Sequence, residues 1–125
     1  MAWVFIDTHE RGFIRYGFVE RAGTKLPRPK KGRAQDVLRL LAKDRFRLAR
    51  AEGICVVAGP GSFSSVRTGV LYANLLARLL RKPLVSMTDT EMRSGVRSFA
   101  TLKMTSYVPP IYDAEPNITT PRATS

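Results

Sequence analysis

Val56–Gly69, VVAGPGSFSSVRTG, decides the fold, because a β-branched run enters a glycine-rich turn and leaves it as the start of a helix. Upstream, Ile54–Ala58 has the length and branching of a buried strand. Downstream, apolar residues continue as a helix from Ser64 or Ser65, either of which can serve as N-cap, to Arg81, where Pro83 stops it and LVSM makes another short strand. Strand, turn, helix and strand in that order imply parallel strands joined by a crossover.

The elements on the N-terminal side extend this layer. AWVFID is a short apolar run of strand type, and FIRYGFVE alternates with period two, so with THERG between them the two form a hairpin. AGTKLPRPKKGR begins with a short third strand and then becomes a basic loop, since Pro27 and Pro29 donate no ladder hydrogen bonds. Arg33–Arg50 reads as a single helix with Val37, Leu38, Leu41 and Leu48 on one side and Arg39, Lys43, Arg47 and Arg50 opposite, bordered by Leu40 and Phe46. The predicted fold is therefore α/β, a mixed sheet with an N-terminal hairpin and two main helices. A weak helical stretch, Glu91–Phe99, precedes a tail rich in Pro and Thr.

The 125 residues carry a net charge of +11, a field that favours polyanions or an acidic partner. Cys55 is the only cysteine, so no internal disulfide forms, and it reads as a buried strand residue. No signal sequence or membrane-length apolar run is present, which predicts a cytoplasmic protein.

The glycine turn lacks the chemistry of known catalytic loops. A phosphate-binding Walker loop needs Lys after its last glycine, where Gly61 is followed by Ser62 and Phe63. A nucleophile elbow needs glycines flanking a serine at a spacing absent here. His9, the sole histidine, is expected in a distant, solvated turn, which disfavours a Ser–His relay. Two readings of the turn stay open: an anion site made by Gly59, Pro60, Gly61, Ser62 and Phe63 with Arg67 one turn into the helix, or a structural junction whose glycines adopt angles other residues avoid. Asp7, at the end of the first strand, is a candidate for holding magnesium through water, although no second acid is seen to face it. The expected metal set is therefore none.

A helical wheel of Val66–Arg81 gathers Arg67, Asn74, Arg78 and Arg81 in one wedge and leaves nearly all the rest apolar. Val66, Val70, Ala73 and Ala77 suit the sheet, which leaves Leu71, Tyr72, Leu75, Leu76 and Leu79 for another subunit. Gly69 permits close approach there, with Leu40 and Phe46 adding to the face. Lys30, Lys31, Arg33, Arg39, Lys43 and Arg47 are the expected RNA contacts, joined by Lys25 and Arg28 if the chain acts as a stand-alone RNA-binding module; aromatic residues suited to base stacking are few.

GPGSFSSVRTGVLYANLLARLLRKPLVSMT, Gly59–Thr88, resembles the signature of the TsaB (YeaZ) family, G-P-G-S-F-T-G-L-R-x-G followed by a helix, a proline and a short strand. VFIDT resembles the family's opening strand, and VPPIYDAEPNITTPR its terminal segment. The resemblance implies an actin-like ATPase (ribonuclease H-like) domain over 1–100 with an extended tail over 101–125, most of the family's second domain being absent. It also implies a non-catalytic subunit that activates a TsaD-like partner, possibly with a TsaE-like ATPase, in threonylcarbamoyladenosine modification of tRNA. Homodimerisation is a further expectation. The chain is expected to have no cofactor of its own, ATP and magnesium acting at the level of the complex, and a vestigial nucleotide-binding protein is the third alternative. Ser64, Ser65 and Val66 replace the family's Thr, Gly and Leu, which puts a glycine-only backbone angle at Ser65 in question, and His9 replaces a small hydroxyl residue.

Overall fold

Ala2–Asp7 forms β1 and Phe13–Glu20 forms β2, an antiparallel pair whose register runs from Ala2 opposite Glu20 to Asp7 opposite Arg15. The computed structural model describes residues 2–20, 26–93, 104–105 and 109. β3 (Lys30–Lys31) adds to the free edge of β2, β4 (Gly53–Gly59) runs parallel to β1, β5 (Leu84–Thr88) runs parallel to β4, and β6 (Met104–Thr105) pairs antiparallel with β5. The spatial order is β3-β2-β1-β4-β5-β6.

The mixed α/β sheet expected from the sequence is present, with three differences. The third strand lies at Lys30–Lys31, beyond both prolines, where the chain again has amide donors for β2. The sixth strand comes from the range assigned to the tail, and Lys25, residues 94–100 and nearly all of that tail lie outside the described residues. The first helical region is not one helix: a 3-10 turn (Ala34–Asp36) leads into α1 (Val37–Ala42), and α2 (Arg45–Arg50) restarts after a break. Asp44 causes the break. Its backbone leaves the helical region (φ −117°, ψ 62°), and its carboxylate accepts a 3.4 Å hydrogen bond from the Arg47 amide, as an N-cap does.

α3 (Phe63–Leu80) is the long element. Its N-cap is Ser62, not Ser64 or Ser65, and the Ser62 side chain makes no capping bond. The Val66 amide donates to Ser62 O at 2.9 Å to begin the ladder. At the other end Arg81 turns left-handed (φ 55°), and the Lys82 amide donates to Ala77 O at 2.9 Å, closing the last turn ahead of Pro83. One sheet face packs Val4, Ile6, Val56 and Leu84 against α1, α2 and α3, while the other buries Trp3, Phe5, Cys55 and Val85 with Met92 beyond β5. The strands are thus buried on both faces, which accounts for their nearly continuous apolar runs.

Candidate functional site

The glycine turn and the hairpin turn are stitched together. The Ser62 amide donates to His9 O at 3.1 Å, and the Thr8 hydroxyl donates to Ser65 O at 2.6 Å. Gly61 lies so close that a Cβ would collide with the His9 carbonyl, and a Cβ at Gly69 would collide with the Thr8 hydroxyl. Gly59 takes a positive φ of 117° before a cis bond to Pro60. The turn therefore needs Gly59 for its backbone angle and Gly61 for the close approach. Ser65 is ordinary α-helix, so replacing a family glycine there strains nothing.

His9 corrects the sequence reading twice. Its turn abuts the glycine turn, and the side chain is only 6% exposed. The imidazolium donates from Nδ1 to Asp7 Oδ1 at 2.5 Å and from Nε2 to Asp89 Oδ1 at 3.0 Å. Asp7, 2% exposed, also accepts from the His9 amide at 3.0 Å through Oδ1, and its Oδ2 faces Arg15 Nε at 3.2 Å. The hydrogen bond to Asp7 raises the His9 pKa above its ordinary value against the opposing effect of burial, with the charges of Asp7, Asp89 and Glu10 adding to the rise.

Asp89 reaches this position because Thr88 and Glu91 start α4 (Asp89–Arg93) with a reciprocal cap. The Thr88 amide donates to Glu91 Oε1 at 2.8 Å, and the Glu91 amide donates to Thr88 Oγ1 at 3.1 Å. That Thr-x-x-Glu pattern was a legible signal. Asp89 Oδ1 also accepts from Arg93 Nε at 2.8 Å.

Chemically, the cluster is a charged strut. Both ring nitrogens of His9 are engaged, so neither is left to accept a proton from a nucleophile. Both Asp7 oxygens are committed to His9 and Arg15, so Asp7 does not fit the magnesium role considered for it. Among the described residues no three metal-ligating side chains converge. A cleft of about 310 Å³ lies beside the strut, lined by His9, Pro60, Gly61, Ser62, Asp89 and Arg93 among others. Of the turn residues assigned to an anion site, Gly59 is buried, Pro60 exposed, and Arg67 exposed on the helix. Burial also takes the Cys55 thiol far above its usual range, which makes it inert.

The face proposed for a partner divides. Leu71 is 60% exposed, Leu75 40%, Leu79 69% and Phe46 76%. Tyr72 and Leu40 are half-buried against the core, with the Tyr72 hydroxyl donating to Gln35 O at 3.1 Å. Gly69 and Leu76 do not belong to an outer face: Leu76 is in the core, and Gly69 makes room for Thr8 inside the same chain. Val66, Val70, Ala73 and Ala77 meet the sheet as the wheel predicts.

Among the basic residues, Lys30 stands 5.1 Å from the Tyr16 ring centre and Arg47 4.4 Å from that of Phe18. Tyr16 and Phe18 fall on the same face of β2, so aromatic rings do accompany the basic set. Arg39 pairs with Asp36 and Arg47 with Asp44, each at 3.6 Å. Lys31 is exposed on the β3 edge, Arg33 just before the 3-10 turn, and Lys43 in the break between α1 and α2.

The family described as TsaD, tRNA N6-adenosine threonylcarbamoyltransferase, matches residues 34–100, more than half of the chain. Among solved structures, YeaZ from Pseudomonas aeruginosa is 22% identical with a TM-score of 0.59, over 71% of this chain and 45% of that one. A protein described as uncharacterized, with similarity to peptidase YEAZ from Pseudomonas aeruginosa, is also 22% identical, with a TM-score of 0.56, over 70% of this chain and 43% of its own. This chain spans less than half the length of either. No curated protein matches it significantly. The likeness shows the fold, a single ribonuclease H-like domain of the actin-like ATPase type. No described helix is long and apolar enough to cross a membrane.

Proposed function

The chain belongs to the TsaD family, and on that premise we propose that it is a non-catalytic adaptor in threonylcarbamoyl modification of tRNA, docking a TsaD-like subunit. One observation carries the reading: Leu71, Leu75 and Leu79, spaced along one side of α3, stand exposed while the helix's small residues face the sheet. Burying three leucines contributes roughly 5 kcal/mol before the costs of association. The engaged imidazole and the absence of an available base beside the glycine turn fit an adaptor better than an independent catalyst. ATP and magnesium then act in the assembled complex, where a TsaE-like ATPase and tRNA join, and self-pairing through the same leucines competes with the partner.

The test is co-expression with the cognate TsaD-like subunit. A heterodimer on gel filtration and increased tRNA modification are expected, both lost on replacing Leu71 and Leu79 with Ser. No association at micromolar concentration overturns the adaptor.

A second reading, an RNA-binding module, is favoured by the Lys30–Tyr16 and Arg47–Phe18 stacks beside Lys31, Arg33, Arg39 and Lys43. Affinity for RNA that falls steeply with salt supports it, and RNA binding absent even at low salt removes it.

A further inference from the structure

We propose that a second cleft, between the β1–β2 turn and the first turns of α3, binds the phosphate group of a nucleotide, either free or within RNA. It measures about 440 Å³, in the range of small-molecule sites. Arg11, Gly12, Gly32 and Arg33 line one side, and Ser64 and Thr68 line the other. No carboxylate lines it.

The register brings the two guanidinium groups together. Phe13 pairs with Lys31 and Ile14 with Lys30, and the Gly32 amide continues the pattern by donating to Gly12 O at 3.1 Å. The next facing positions are Arg11 and Arg33. Like charges set opposite one another across strands repel, and among the described residues neither arginine has an ion-pair partner. An anion between them removes that repulsion and meets two planar forks of donors suited to phosphate oxygens.

Glycines hold this geometry in place. Gly12 takes a positive φ of 82° at the turn, and a Cβ on Gly32 would lie 2.8 Å from the Ile14 side chain. The Ser64 side is exposed, so its hydroxyl is open to a phosphate oxygen, while Thr68 donates to Ser64 O at 3.0 Å and orders that rim. The site is separate from the leucines proposed for the partner.

This inference goes beyond the adaptor reading, and its test uses the 125-residue chain alone, so its failure leaves the partner question open. Backbone amide resonances are followed while inorganic phosphate, AMP, adenosine and a short single-stranded RNA are titrated in turn. AMP is expected to move the amides of Gly12, Gly32 and Ser64, and adenosine to leave them in place. RNA binding more tightly than AMP identifies RNA as the source of the phosphate, and equal affinity identifies the free nucleotide. Arg11→Gln and Arg33→Gln should each weaken AMP about tenfold, the loss typical of one hydrogen bond to a charged group. No shift with any probe, equal shifts with adenosine and AMP, or full affinity in a folded double variant overturns the proposal. If the double variant does not fold, Arg11→Gln alone decides on the same criterion.

Discussion

The two faces of α3 invert the usual economy of an amphipathic helix. Toward the sheet it presents Val66, Val70, Ala73 and Ala77, small or short side chains that let the helix lie close. Toward solvent it presents Leu71, Leu75 and Leu79, which have more surface to hide. The difference teaches that the inner face is limited by fit and the outer face by the absence of a cover within the described residues. Mutations on the two sides should therefore differ in kind: inside, added volume or charge costs folding stability, whereas outside, lost volume costs association only.

The largest effect is expected from Val66→Asp. Val66 is fully buried, and an unpaired carboxylate there costs about 4 kcal/mol or more, enough to unfold a small domain. Loss of the folded circular dichroism signal checks it, and a stable variant breaks the inner half of the comparison. Gly69→Ala comes next. A methyl group collides with the Thr8 hydroxyl, for an expected loss of about 1–3 kcal/mol in urea unfolding. A neutral result would mean that the hairpin turn yields easily.

His9 sharpens the comparison at the turn that Thr8 fastens to the inner face. Because the folded state raises the His9 pKa, the strut's contribution is complete below the unfolded value of about 6.5 and is lost as pH rises through the higher folded value. The urea midpoint should fall across that window in the native chain, and His9→Gln should remove that part of the fall. An unchanged profile in the variant shows that the strut does not couple to folding. The smallest effect on stability belongs to the outer face: Leu79→Ser should change unfolding by no more than about 0.5 kcal/mol. A large loss there means that the leucine is covered within the chain.

The sequence made one half of this contrast easy to read. Helical spacing sorts Val66, Val70, Ala73 and Ala77 from the three leucines, and burial in the sheet follows directly from that periodicity. Leu76 was misplaced because a wheel gives direction but not how far the neighbouring α1 reaches around the helix. Gly69 was misread for a related reason: its contact, Thr8, comes from a turn distant in sequence, and nothing local distinguishes a glycine that admits a hydroxyl from one that admits another helix. The break at Asp44 hid because Leu41 and Leu48 keep helical phase across it.

The site was less legible than the fold. Asp7, His9 and Asp89 were each visible at a strand end or in a turn, but their meeting depends on β1 and β5 flanking β4 in parallel, which brings those ends to one edge. The Thr88–Glu91 cap was the one local sign that the chain after β5 turns at once into a helix and presents Asp89. The pairing of Lys30 and Arg47 with rings on β2 likewise required knowing that α2 crosses over that strand.

Cys55 sits at the centre of the sheet with no exposed surface, and burial keeps its thiol protonated. As the chain's single sulfhydryl, it is a natural stopwatch for opening of the central strands: a thiol reagent can mark it only during those excursions, so labelling time reads how often the sheet breathes and whether a docked partner slows it.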